Sequence, residues 1–301
     1  MLIGLGAPVS GAWARPENVS RFALLAEQLG YHSAWTFQRL LVPADNSMAP
    51  VYHSVLDPVV TLAYAAAHTT RLRLGIAVLN LPFLSPVIVA KQAASLDVLS
   101  GGRLDLGLGI GWSELEFAAT GARMRRRGAR AEEYLGVLRT LWTDEVSHFK
   151  GRFYTVPKSR MAPKPVQRPG PPVLLGGSSG PALERAGRAA DGWISGSSFD
   201  LAMIEHCARV VRTAAEKAGK DPAQVRIICR GALKLGARDG MLTGSYDDVR
   251  ADAERLAELG VTEMFYDLNW HPTVGSPDTE PSVATELADE ILHALAPATV
   301  G

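Results

Sequence analysis

The sequence predicts one α/β domain over residues 1–301, folded as a (β/α)8 TIM barrel. Strand-like and helix-like segments alternate in about eight units, and 301 residues are a common length for one such barrel. A doubly wound sheet shows the same alternation and stays open, but the number of units and the length favour the barrel. Longer connections predict insertions after strands two, four, seven and eight.

The first half of the chain shows the alternation clearly. Short apolar runs predict strands one to four at 2–7, 33–37, 72–79 and 103–109. The helices between them begin at prolines, which are pre-organised for the first turn. These prolines are Pro16, Pro58 and Pro86. Asp57 and Ser85 precede two of them as N-caps. Apolar spacing places Ala63 and Leu99 on the buried faces of the second and third helices.

The second half repeats the pattern after one interruption. A helix is predicted at 127–142, and residues 143–171 then break the rhythm with a hairpin-like HFKGRFYTV and a proline-rich KPVQRPGPP. Strands five to eight are predicted at 173–175, 192–195, 225–235 and 263–268. Helices are predicted at 181–190, 200–219, 247–259 and 281–295. Ser245 and Asp248 are spaced as in a capping box for the third of these helices.

Composition excludes several classes of protein. Lysine plus arginine and aspartate plus glutamate both total 31, so the net charge is zero, which argues against a partner that is a nucleic acid or a membrane surface. The two cysteines lack metal-ligand spacing and suggest a reducing compartment. The N-terminal segment lacks the features of a signal peptide, and no apolar run is long enough to span a bilayer. We therefore expect a cytoplasmic enzyme that acts on a small molecule.

Strand four is unusual because one of its faces is nearly bare. Gly107, Gly109 and Gly111 alternate with large apolar residues and share a face with Asp105. Glycine weakens a strand, so three of them on one face indicate a close approach to the backbone. The approaching group is either a tightly packed helix or a flat ligand.

The active site of such a barrel lies at the carboxyl ends of the strands. The residues at those ends include Gln38-Arg39, Asn80, Ile110-Gly111-Trp112, Gly176-Gly177-Ser178-Ser179, 196–198 and Arg230. The segment from Gly176 to Ser179 stands immediately before a helix, where backbone amides and two hydroxyls favour an anion. An ordinary strand–helix turn with serine caps would show the same residues.

Other motifs carry less chemistry. The run from Gly107 to Gly111 is not a dinucleotide fingerprint, and no histidine pattern has metal-ligand spacing, so no metal is predicted. His53, in the long loop after strand two, is a candidate site residue or an ordinary polar loop residue. Trp112 either stacks on a ligand or plugs the rim. The arginines between 123 and 130 form a solvated face or contact an anionic cofactor tail.

A series of landmarks in one order resembles a known family. They are LSGGRLDLGLGIGW, Arg127 with Glu132 or Glu133, Leu141-Trp142, FKGRFY, PVQRPGPPVLLGGSS and AADGW. Together they resemble the luciferase-like monooxygenase family, and most closely its coenzyme F420-dependent oxidoreductases from actinobacteria. The match runs from about strand two to strand six and weakens after Gly219.

The resemblance implies a barrel that holds a flavin-type ring above the strand ends. It implies contacts of the cofactor phosphate with Gly111 and with Gly176-Gly177-Ser178, in agreement with the anion site inferred above. It also implies a non-prolyl cis peptide at Ala77-Val78, forming a bulge against the ring. Relatives of this kind are often dimers, which implies a homodimer here.

Two departures from the family pattern bear on activity. Sugar-phosphate dehydrogenases of the family carry Asp-His where this chain has Gln38-Arg39, and a glutamate where it has Trp112. An acid and a base are therefore missing, which argues against sugar-phosphate oxidation. Gln38 is expected to hydrogen-bond the ring edge, and Arg39 to stabilise negative charge on a reduced ring or a substrate.

The leading hypothesis is an F420-dependent oxidoreductase that transfers a hydride between C5 of the deazaflavin and a small organic substrate. The first alternative is an FMN-dependent monooxygenase that activates oxygen. A non-catalytic barrel that carries a flavin or deazaflavin is the second. An unrelated lyase or isomerase acting on a sugar phosphate is the third.

Overall fold

The computed structural model describes residues 1–297 and shows a closed barrel of eight parallel strands. The strands are β1 (Leu2–Gly6), β2 (Ser33–Thr36), β3 (Arg73–Asn80), β4 (Leu104–Gly109), β5 (Val173–Gly176), β6 (Gly192–Ile194), β7 (Arg226–Ala232) and β8 (Glu263–Asp267). Each strand pairs with its neighbours in sequence, and β8 closes on β1. The predicted (β/α)8 barrel is confirmed, and the doubly wound alternative is wrong.

The outer layer consists of helices that follow the strands. They are α1 (Pro16–Gln28), α2 (Pro58–His68), α3 (Pro86–Leu99), α4 (Glu114–Ala119), α5 (Arg127–Thr143), α6 (Gly180–Ala189), α7 (Ile204–Lys217), α8 (Tyr246–Glu258) and α9 (Pro281–Ala294). The predicted caps are present: the Asp57 carboxylate accepts the Val59 amide at 3.0 Å, and Ser245 with Asp248 forms a capping box. Among residues 1–297, no helix has the length and apolarity needed to cross a membrane.

Some local predictions are wrong. Ala63 is exposed and Leu99 is 75% exposed, because the buried faces of α2 and α3 are turned by about one residue from the predicted ones. Helix α4 was not predicted, although Ser113 and Glu116 have the spacing of a capping box, and Ser113 Oγ does accept the Glu116 amide at 3.4 Å.

The predicted insertions follow β2, β4, β7 and β8. They contain the 3-10 turn Pro50–Tyr52, helix α4, a short parallel pair of Lys234–Leu235 with Thr243–Gly244, and the 3-10 turn Leu268–Trp270. The predicted hairpin is also present, as Ser147–Lys150 paired with Thr155–Ser159. The prediction that 1–301 form one domain stays a prediction, and residues 298–301 lie outside the described part of the chain.

The bare face of β4 packs against its neighbour β3. A Cβ atom at Gly107 would overlap the Ile76 carbonyl oxygen, and one at Gly109 would lie 2.5 Å from Val78 Cγ2. The pairing of β3 with β4 is irregular between Ile76 and Leu79, and the Ala77–Val78 peptide in this bulge is cis, as the resemblance implied. The two glycines therefore accommodate a bulge of the adjacent strand, so the close neighbour of this face is a strand and not a packed helix. Gly109 also borders a cavity at the carboxyl ends of the strands, so the approach of a ligand to this face stays a prediction.

The amino-terminal end of the barrel is closed by paired charges. Asp105 is fully buried and accepts Arg73 Nη2 at 2.8 Å and Arg226 Nη1 at 2.6 Å. Arg226 also donates to Glu263 at 2.7 Å, and Glu263 accepts the Ser33 hydroxyl at 2.6 Å. Burial raises the pKa of Asp105, but the two arginines outweigh this effect and hold it below its usual range.

Candidate active site

A cavity of about 520 Å³ opens at the carboxyl ends of the strands, which is a usual size for a small-molecule site. It brings together nearly every residue that the sequence predicted. These are Gln38, Arg39, Ala77, Val78, Asn80, Ile110, Gly111, Trp112, Gly176, Gly177, Ser178 and Ser179. Residues from the ends of six strands, β2 to β7, line the cavity and thus converge on one space.

His53 is the one predicted site residue that does not line this cavity. Its Nε2 atom lies 2.9 Å from the Met48 carbonyl oxygen, within the same loop. The ring is therefore engaged in holding the loop after β2. The geometry gives His53 no direct contact with a molecule in the cavity.

The base of the cavity is formed where β2 and β3 end. The Gln38 side chain is buried, and its Oε1 atom accepts the Asn80 backbone amide at 2.9 Å. This bond orients the side chain, and Gln38 Nε2 donates to no other group within residues 1–297. Gln38 therefore offers a fixed amide donor to a bound molecule.

Arg39 forms one wall, but its charge is already matched. Its Nη1 atom donates to Glu116 Oε2 at 2.8 Å, and both side chains are almost fully buried. The guanidinium also lies between two rings, 4.4 Å from the centroid of Tyr52 and 4.6 Å from that of Trp112. Such stacking is a favourable cation–π arrangement. Glu116, on the unpredicted helix α4, therefore converts Arg39 from a free cation into a rigid wall.

Trp112 occupies the rim. Its side chain is 58% exposed although it stacks on Arg39, so an apolar ring borders the mouth of the cavity. Gly111, just before it, has a φ of +71° and approaches the rings of Phe83 and Phe117. This left-handed backbone favours glycine and turns the chain away from β4.

The segment from Gly176 to Ser179 forms the opposite end of the cavity. Gly177 has a φ of +114°, and Ser179 precedes α6 without capping it through its side chain. Within the described chain, the amides of Ser178 and Ser179 donate to no acceptor. Exposed amides at a helix N-terminus are the usual binding site for a phosphate.

A cluster of arginines begins at this cavity. Arg127 lines the cavity, and a neighbouring depression is lined by Arg123, Arg125, Arg126, Arg130 and Arg152. Arg130 lies 4.6 Å over the Phe153 ring. No member of this arginine cluster is paired with a carboxylate of residues 1–297, which makes the cluster an uncompensated positive surface.

Arg230, near the end of strand seven, is a cavity residue whose role the sequence alone does not reveal. It lines the cavity while its side chain is only 8% exposed. The available signal is an arginine within the otherwise apolar run IICRGA, since a buried charge requires a partner. That partner is Asp267, whose Oδ2 atom accepts Arg230 Nε at 2.7 Å.

Comparison with known proteins identifies the family. The model of the luciferase-like monooxygenase family matches residues 3–271, and the chain therefore belongs to this family. An uncharacterised protein of Mycobacterium tuberculosis is 37% identical over 227 residues, which cover 75% of this chain and 72% of the relative. A second one is 32% identical over 286 residues, which cover 91% and 92%.

Solved structures share the fold. The monooxygenase RslO1 from Streptomyces bottropensis superposes with a TM-score of 0.78 at 24% identity, over 97% of this chain and 99% of the other. An F420-dependent secondary alcohol dehydrogenase, solved with an F420-acetone adduct, also gives 0.78 at 18% identity, over 98% and 99%. Because the family model covers most of the chain, the protein is an enzyme of the luciferase-like superfamily. Its structural neighbours include the F420-dependent alcohol dehydrogenase and a riboflavin lyase solved with modified FMN.

Proposed function

We propose that this protein is a coenzyme F420-dependent oxidoreductase acting on a small organic molecule. The observation that carries the proposal is the arginine cluster, because Arg127 lines the same cavity as Gly176–Ser179 and the neighbouring arginines line a depression of their own. F420 continues past its phosphate into an oligoglutamate tail, whereas FMN ends at its phosphate. A phosphate site followed by uncompensated arginines therefore suits F420 better than FMN.

The chemical types of the cavity residues suit the parts of this cofactor: amides and glycines suit its phosphate, and polar and apolar side chains suit its ring. We assign the phosphate to Gly111 and to the amides from Gly176 to Ser179. When bound, the deazaflavin supplies hydride transfer at its C5 atom, and the protein supplies orientation and charge. Gln38 and Asn80 would hold the ring edge, and Ile110 with the Ala77-Val78 bulge would support its face.

The remaining wall residues have roles that follow from their contacts. Trp112 would border the ring at the mouth of the cavity. Arg39, being paired with Glu116, would keep that wall rigid and apolar on its stacked faces instead of supplying a free charge. His53 is left out of the proposed site, because it bonds within its own loop.

A fluorescence titration tests the proposal. The purified protein is titrated with F420, with the same deazaflavin lacking its glutamate tail, and with FMN. We expect the Kd for F420 to be the lowest and removal of the tail to raise it by about tenfold, as for the loss of one or two charge-assisted contacts. Tight binding of FMN together with weak binding of F420 would overturn the proposal.

An FMN-dependent monooxygenase is the second candidate, favoured by one relative. The FMNH2-dependent dimethylsulfone monooxygenase of Pseudomonas putida is 36% identical over 177 residues, which cover 57% of this chain and 46% of that enzyme. Oxygen consumption with reduced FMN would distinguish it from the F420 enzyme. Because the chain belongs to a family of enzymes, we retain neither the carrier hypothesis nor the lyase hypothesis.

We also propose a homodimer and a cytoplasmic location. Helices α2 and α3 expose several large apolar side chains on their outer faces, which would be covered in a dimer. These are Val60, Tyr64, Val87 and Ile88. Light scattering of the purified protein, with Val60→Asp as the disrupting variant, tests the dimer.

The cytoplasmic location is supported by the two cysteines, which are buried and form no disulfide, as is usual in a reducing compartment. Cell fractionation tests it.

A further inference from the structure

Arg230 has more donors than the protein satisfies. Its Nε atom donates to Asp267 at 2.7 Å and its Nη1 atom to the Ala77 carbonyl oxygen at 3.0 Å. The guanidinium lies 4.7 Å over the Phe37 ring. Its Nη2 atom is buried and has no hydrogen-bond partner within residues 1–297. A buried donor without a partner is rare in native proteins and calls for an explanation.

The surroundings hold this guanidinium in place. Asp267 Oδ1 accepts the Asn269 side-chain amide at 2.8 Å, and Asn269 Oδ1 in turn accepts the amides of Val9 and Ser10 at 3.2 and 3.1 Å. The Arg230 backbone amide is bound by Ser195 Oγ at 2.9 Å. These bonds hold the Arg230 guanidinium in one orientation, so this residue of the cavity wall keeps a buried Nη2 donor without a partner among residues 1–297.

The charge of this arginine decides which acceptor suits it. Asp267 neutralises Arg230 at close range, so the pair presents an N–H donor without net charge. An anion would be attracted by Arg230 and repelled by Asp267, whereas a neutral carbonyl oxygen needs only the donor. By their chemistry, the amides of Gly176–Ser179 suit an anion, whereas the Arg230–Asp267 pair suits a neutral acceptor.

We propose that Arg230 is a specificity-determining residue whose Nη2 group donates a hydrogen bond to a neutral carbonyl oxygen in the cavity. That oxygen belongs to the pyrimidine part of the bound cofactor ring or to a ketone-type substrate. The inference deepens the proposed function and rests on it.

The test compares Arg230→Lys and the double variant Arg230→Met/Asp267→Asn with the wild type. Lysine keeps the buried charge beside Asp267, and the double variant removes both charges, so neither leaves an isolated buried ion. Arg188→Met is the matched control, since Arg188 is half-exposed on α6 and paired with Glu132. Far-ultraviolet circular dichroism and thermal unfolding confirm that each variant is folded.

The first arm measures the Kd of the cofactor that the wild type binds more tightly, F420 or FMN, for each variant. A rise of about tenfold in both Arg230 variants, with Arg188→Met unchanged, supports the proposal and assigns the oxygen to the ring. The second arm uses protein saturated with cofactor and follows the change of cofactor fluorescence on addition of acetone or acetate. In the other supporting outcome, the cofactor Kd is unchanged in the variants, but the response to acetone is lost in both Arg230 variants. This outcome assigns the oxygen to the substrate.

Two results overturn it. If the wild type binds cofactor and neither arm changes in the variants, Nη2 is satisfied by water and Arg230 has no role in recognition. If acetate binds more tightly than acetone and loses binding in the variants, Arg230 is an anion site instead. Failure of the proposed function is a separate outcome, because then the wild type itself binds neither F420 nor FMN, and this inference falls with it.

Discussion

The two ends of the barrel use similar charged residues in opposite ways. At the amino-terminal end, Asp105 is held by two arginines, one of which also binds Glu263, so each charge has a partner. At the carboxyl-terminal end, Arg230 is paired with Asp267 but keeps an unpaired Nη2 atom, and the amides of Ser178 and Ser179 have no acceptor within the described chain. Complete pairing serves stability, and incomplete pairing beside a cavity marks the place where a ligand completes the set.

The largest effect is expected from breaking the paired end. Asp105→Ala leaves Arg73 and Arg226 facing each other without their shared carboxylate, and we expect a loss of about 3–5 kcal/mol in the free energy of unfolding. Urea unfolding measures it. Asp289→Ala is the control, because it removes a partly exposed pair with Arg21 and should cost less than about 1 kcal/mol. Equal effects of the two variants would show that the buried network does not stabilise the fold.

At the carboxyl-terminal end of the barrel, we expect a substitution of Gly177 to change stability less but to weaken binding strongly. In Gly177→Ala the new Cβ would lie 2.9 Å from Ala182 Cβ, and the φ of +114° disfavours any side chain. The displaced amides should weaken cofactor binding by about 10- to 100-fold. Gly180→Ala is the matched control, since within residues 1–297 its added Cβ would meet no atom within 4 Å outside its chain neighbours and the backbone of its own helix. The titration described above measures both, and similar Kd values for both variants would contradict the assignment of the phosphate.

The arginine cluster should affect one cofactor only. Arg123→Glu with Arg126→Glu places negative charge beside the proposed tail, and we expect about tenfold weaker binding of F420, with the loss reduced at high salt. Binding of the deazaflavin without its tail should stay unchanged and serves as the control. A matching loss for the ligand without a tail would mean that the cluster acts on the phosphate or on the fold.

The smallest effect belongs to a surface carboxylate near the amino-terminal end. Burial raises the pKa of Glu27, but hydrogen bonds from the amides of Arg71, Leu72 and Thr70 outweigh it and lower the pKa to about 2. A lowered pKa contributes stability at neutral pH that is lost as the pH falls from about 4.5 through about 2. We expect Glu27→Gln to cost about 0.5–1 kcal/mol at pH 7, because solvent screens this partly exposed group, and almost nothing near pH 2. A cost that does not change with pH would show that packing, and not the carboxylate charge, is responsible.

Much of this molecule was predictable because local signals and tertiary structure agree. Prolines and caps place the helix starts, apolar runs place the strands, and eight strand–helix units of this length close into a barrel. The position of a site at the strand ends follows from the barrel itself, so Gln38, Gly111 and Gly177 could be named in advance. These features depend on neighbours in sequence or on the fold class alone.

The partners of those residues depend on contacts between distant segments, which the sequence does not encode locally. Only the tertiary structure shows that Glu116 neutralises Arg39, that Asp267 fixes Arg230, and that His53 bonds within its own loop. The glycines of β4 give the same lesson, because their neighbour is a bulge on β3 about 30 residues earlier in the chain. The sequence by itself therefore determined most of the helices and strands and the end of the barrel at which the cavity opens. The tertiary structure alone decided which charges are matched and which donors remain for the ligand, because the energy of a buried charge depends on the groups within a few ångströms of it.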